Sequence, residues 1–80
     1  MRYTNEQEFT FSAADESRAV CIKANGGSVQ VYANDGVEWI LTDTLTEDGC
    51  KEIFTKGLSM KFTPVGGASY WIQLSSGLLK

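Results

Sequence analysis

The chain has 80 residues, a formal net charge of −3 and 42% apolar residues, with eight glycines and one proline. That is enough for one domain with a small core, since a chain of this size buries only about 60 to 65% of the surface its unfolded form exposes. Composition does not point to disorder. The longest apolar runs fall far short of the ~20 residues a membrane-spanning helix needs. The seven basic residues are scattered, so no clustered face for nucleic acid is expected.

In chain order, the stretch from Met1 to Glu8 is polar and partly acidic, the opposite of a secretory leader, so the expected place of synthesis and residence is the cytoplasm. Phe9 and Phe11 flank Thr10, and Val20 and Ile22 share a face within Ala19–Ala24. This period of two marks half-buried strands. Asn25-Gly26-Gly27 tolerates positive φ and precedes alternating Val29 and Val31, which predicts a hairpin between the second and third strands. Asn34-Asp35-Gly36 repeats that chemistry before Val37–Thr42, the fourth strand.

Asp43 could cap a short helix, but Thr42, Thr44, Thr46 and Gly49 are poor in helix interiors. An extended segment with a turn at Glu47-Asp48-Gly49 is favoured, followed by a short strand from Cys50 to Phe54. Leu58, Met60 and Phe62 alternate with Ser59, Lys61 and Thr63, the pattern of an antiparallel sheet wet on one side. Pro64 is expected to end that strand. After Gly66-Gly67, Ala68, Tyr70, Ile72 and Leu74 face one way in a last strand, and residues 75–80 read as a loose tail. The fold class is all-β: a small antiparallel β-sandwich or jelly-roll-like barrel of six to eight short strands, in a single domain over residues 1–80 with flexible ends.

Catalytic chemistry finds little purchase. There is no histidine, so a general base must be a carboxylate such as Glu38, Glu47, Asp48 or Glu52, each placed in a turn or on a solvated face. Cys21 and Cys50 lack a histidine to generate a thiolate and lack the spacing of a zinc site; free, partly buried thiols are favoured over a bridge. The glycine pairs have no phosphate-loop spacing. No catalytic, metal or cofactor residue is assigned, and no cofactor is expected.

The aromatic residues read as binding residues. With Tyr70 and Ile72 inward, Trp71 points outward between Ser69 and Gln73, where a wet indole is costly, so a partner surface is expected there. Tyr32, opposite Val31, follows the same logic less forcefully. Interface candidates are Trp71 and Tyr32 with the acidic turn residues Glu47 and Asp48. A small core also gains from burying an outer patch against copies of itself, so a homo-oligomer is expected.

The stretch Val29–Gly49, followed by Gly57–Phe62 and Gly66–Trp71, resembles small structural proteins of tailed bacteriophages. In those chains a Val-rich hairpin, a Trp strand, a Thr-rich acidic turn and a Gly-Gly turn precede a final aromatic strand. The resemblance covers about two-thirds of the chain. It implies a sandwich or jelly-roll virion part: a trimeric decoration protein on a capsid, or a head-tail or tail accessory. Two other classes compete with it. A small acidic regulator would bind one host protein in a salt-sensitive, one-to-one complex; a carbohydrate-binding module would stack sugars on Trp39 or Trp71.

Overall fold

The computed structural model describes residues 2–14 and 16–73. Among them are seven strands and no helix: β1 (Gln7–Thr10), β2 (Ser17–Lys23), β3 (Ser28–Asn34), β4 (Trp39–Leu45), β5 (Gly49–Phe54), β6 (Ser59–Val65) and β7 (Ser69–Ile72). They form two antiparallel sheets, a four-stranded one ordered β1-β6-β3-β4 and a three-stranded one ordered β5-β2-β7. The all-β class and the two-sheet arrangement agree with the alternation in the sequence. The expected loose tail, like Leu74, lies outside the described residues.

Alternation builds the core directly. Val20 and Ile22 from β2, Val29 and Val31 from β3, Met60 and Phe62 from β6, and Tyr70 and Ile72 from β7 all lie inward and are buried. Phe62 and Tyr70 stack with centroids 5.4 Å apart, and Tyr3, Phe9 and Phe11 extend this aromatic cluster. Aromatic side chains carry large apolar area, which lets a short chain close a core. At the N-terminus, Tyr3 bridges β7 through reciprocal backbone hydrogen bonds with Tyr70. Arg18 lies inward on β2, with its guanidinium 5.9 Å from the Phe11 ring centroid.

Three sequence expectations require correction. The Asn25-Gly26-Gly27 turn does not make a hairpin: β2 and β3 lie in different sheets, and the turn is the corner between them. Positive φ at Asn25 and Gly26 serves a tight corner as well as it serves a hairpin, so turn chemistry alone could not tell them apart. Pro64 does not end β6, which continues to Val65 paired with β3. It sits past the last residue paired with β1, where β6 has a strand on one side only, an edge-like position that proline tolerates. Finally, Cys21 and Cys50 are not free thiols but form a disulfide across the β2–β5 pair. Their 29-residue separation hid a register in which they stand directly opposite each other.

Other readings agree with the structure. Asn34-Asp35-Gly36 connects β3 to β4 as a true hairpin, and Asp43 lies in extended chain with the bend at Glu47-Asp48.

Candidate protein-interaction surface

The outer face of the four-stranded sheet is set by the register that buries Val31 and Phe62. Their neighbours Tyr32 and Lys61 must point outward, and they are cross-strand partners; Tyr32 is also opposite Leu41, and Asn34 is opposite Trp39. The result places the Lys61 ammonium 4.8 Å from the ring centroids of both Tyr32 and Trp39. A cation held over an aromatic face contributes about 0.5 to 1 kcal/mol at exposed sites. Tyr32 Oη in turn donates to Gln30 Oε1 at 2.9 Å. The three side chains therefore form an ordered platform with apolar flanks and a positive centre.

The hairpin beside this platform is fixed by its own side chains. Asn34 Oδ1 accepts from Gly36 N at 2.8 Å, and Asp35 Oδ1 accepts from Val37 N at 2.8 Å and Glu38 N at 2.9 Å. The bonds from Glu38 and Val37 favour the carboxylate and lower the Asp35 pKa below its ordinary value. Val37 is held at this tip with 88% of its surface exposed.

Beyond the tip runs β4, an edge strand with a neighbour on one side only. The pairing with β3 shifts between Val31 and Tyr32, so Thr42 is an extra residue on β4, and its Oγ1 donates to Val31 O at 3.2 Å. Past this bulge, Leu41 joins the outer face with Tyr32 while Ile40 pairs with Ala33 on the inner face. Both remain substantially exposed, Ile40 at 43% and Leu41 at 50%.

The sandwich stands open between its free edges β4 and β5. A cleft of about 240 Å³ lies there, with Ala33, Ile53, Leu58 and Met60 as apolar lining and Asp43 and Glu52 contributing carboxylates. Glu52 accepts a hydrogen bond from Ser17 Oγ. Phe54 also lines the cleft and is 65% exposed. No group of three or more His, Cys, Asp or Glu side chains suited to a metal occurs among the described residues.

The four candidates from the sequence are not brought together. Trp71 is exposed, on the outer face of the three-stranded sheet and in register with Cys21. Tyr32 lies on the outer face of the other sheet. Asp48 and Glu47 occupy the β4–β5 connection, where Asp48 Oδ1 accepts from Ala24 N at 2.7 Å and so latches this loop to the end of β2. Trp39, one of the aromatic residues that read as binding residues and the alternative sugar platform, has Lys61 over one side of its ring. Lys61, Ile40 and Leu41 were missed. The readable signal was the unbroken run Trp39-Ile40-Leu41, which is apolar on both faces of its strand. No protein-family model, curated protein or solved structure matches this chain.

Proposed function

We propose that the protein is a non-catalytic binding module that adheres to protein surfaces along the β3–β4 hairpin and the free edge of β4. The observation that carries this reading is the concentration of exposed apolar side chains, Val37, Ile40 and Leu41, on one edge hairpin beside the ordered Trp39–Lys61–Tyr32 platform. An exposed edge strand offers unpaired backbone donors and acceptors, and apolar side chains there favour pairing with another chain. Aromatic residues are enriched at the buried centres of protein interfaces. The likeness to phage structural proteins makes a capsid or another virion protein our reading of the partner, and self-association into a trimer our reading of its assembly. Many weak contacts repeated over a lattice would then sum to tight attachment.

Light scattering on the purified protein tests this. A stable trimer is expected, and Leu41→Lys should reduce it to monomer with an unchanged far-ultraviolet dichroism spectrum. A wild-type monomer would remove the self-assembly, and a Leu41→Lys variant that assembles as the wild type does would remove β4 from the contact.

A further inference from the structure

The Cys21–Cys50 disulfide lies outside the core. Cys21 and Cys50 are cross-strand partners, and Trp71 is the partner of Cys21 on its other side, so the three form one row across the outer face of the β5-β2-β7 sheet. Cys50 is exposed and Cys21 half-buried, while the inward residues Val20, Ile22 and Ile53 carry the packing of these strands. β5 is an edge strand held to β2 by six register pairs and by the Ser17–Glu52 hydrogen bond. The cross-link is therefore not needed to define the pairing, and it lies on the outer face of the sheet with Cys50 exposed. Exchange at a disulfide is governed by access and by which sulfur is attacked.

We propose that Cys21–Cys50 is a reversible thiol–disulfide exchange site, attacked at Cys50 Sγ by the thiolate of a dithiol reductant, whose state sets how firmly edge strand β5 closes the cleft beside β4. The attacking thiolate forms a new S–S bond to Cys50 as the Cys21–Cys50 bond breaks, and Cys21 leaves as a thiolate that takes a proton from water. The second thiolate of the reductant then displaces Cys50 and leaves the reductant as its disulfide, so two electrons and two protons pass to the protein. Glu52, Ile53 and Phe54, which line the cleft, follow Cys50 on the same strand. Reduction leaves β5 held by its ladder, the Ser17–Glu52 hydrogen bond and the burial of Ile53.

The test follows reduction by dithiothreitol in native buffer, with thiols counted by alkylation and with Trp71 fluorescence recorded in a Trp39→Phe background, where Trp71 is the single tryptophan. The reduction rate should rise in proportion to dithiothreitol over at least a tenfold range, and Trp71 emission should increase as the neighbouring disulfide is lost. Early quenching of a reaction with glutathione should place the adduct on Cys50. In the reduced protein, amide exchange in β5 should quicken at least tenfold while β3 and β6 are unchanged. A rate that levels off at the global unfolding rate, or no reduction, overturns the exchange site. Glutathione found on Cys21 overturns the attacked sulfur, and unchanged β5 exchange overturns the control of the strand.

Discussion

Single residues in this fold act through backbone space and through protons. Gly27 packs against the β6–β7 turn so closely that a Cβ would overlap the Val65 carbonyl oxygen and press on Gly66, all of it backbone that cannot rotate away. Gly26, one residue earlier, has φ of +82° but open space around it. Gly26→Ala should thus cost only the left-handed penalty of about 1 to 2 kcal/mol, whereas Gly27→Ala should cost about 3 kcal/mol or prevent folding; urea unfolding of both separates conformation from contact. Two titrations carry opposite signs. Asp35 has a lowered folded pKa, so its contribution is fully present above the ordinary carboxylate value of 3.8 and is lost as pH falls through the folded value. Asp35→Asn should flatten the fall in melting temperature on acidification below about pH 4. Burial, with the nearby Tyr3 and Glu6 charges, raises the Tyr70 phenol, whose Oη donates to Phe62 O at 3.5 Å. Its neutral form is retained in the folded state, so stability is present below about pH 10 and falls as the unfolded chain ionises above it. Tyr70→Phe, which keeps the ring, should weaken that alkaline loss.

Among the elements, β5 depends most on a covalent bond. It buries Ile53 alone among its six residues and pairs with β2 on one side, and the Cys21–Cys50 cross-link closes a loop of 29 residues. A loop of that length restrains the unfolded chain by about 3 to 4 kcal/mol in the chain-entropy account. Cys21→Ser with Cys50→Ser should lower stability by about that much in urea unfolding. If β5 frays first, its amides should lose protection before those of β3. Strand positions were legible in the sequence because Val20/Ile22, Val29/Val31 and Met60/Phe62 keep a strict period of two. Sheet membership was not. Asn25-Gly26-Gly27 and Asn34-Asp35-Gly36 have nearly the same turn chemistry, yet the first crosses between sheets and the second closes a hairpin. The difference lies in Gly27, which can approach Val65 and Gly66 because it has no side chain, and that contact joins segments distant in sequence. The disulfide and the Tyr32–Lys61 platform were hidden in the same way, since both arise from register between strands. Trp71 was placed outward correctly because its position follows from the alternation of its own strand.

At the scale of the molecule, the sandwich is a slab with Cα extents of 37 × 34 × 16 Å. Trp71 and the Tyr32–Leu41 patch belong to its two opposite broad faces, while the cleft opens between the edge strands β4 and β5. A closed ring such as a trimer uses a heterologous contact between two different patches, and patches on opposite faces of a slab would stack copies into an open array in place of a ring. If the protein closes into a trimer, its self-contact therefore runs along the free β4 edge, where Ile40 and Leu41 are both exposed, and the Trp71 face is left for a second surface. The two roles should separate on mutation, because side chains far apart with no shared partners act additively. Trp71→Ala should keep the wild-type oligomeric mass in light scattering and weaken only attachment to the proposed virion partner, whereas Leu41→Lys should yield a folded monomer. A Trp71→Ala variant that falls to monomer while Leu41→Lys stays assembled would transfer the self-contact to the outer face of the three-stranded sheet.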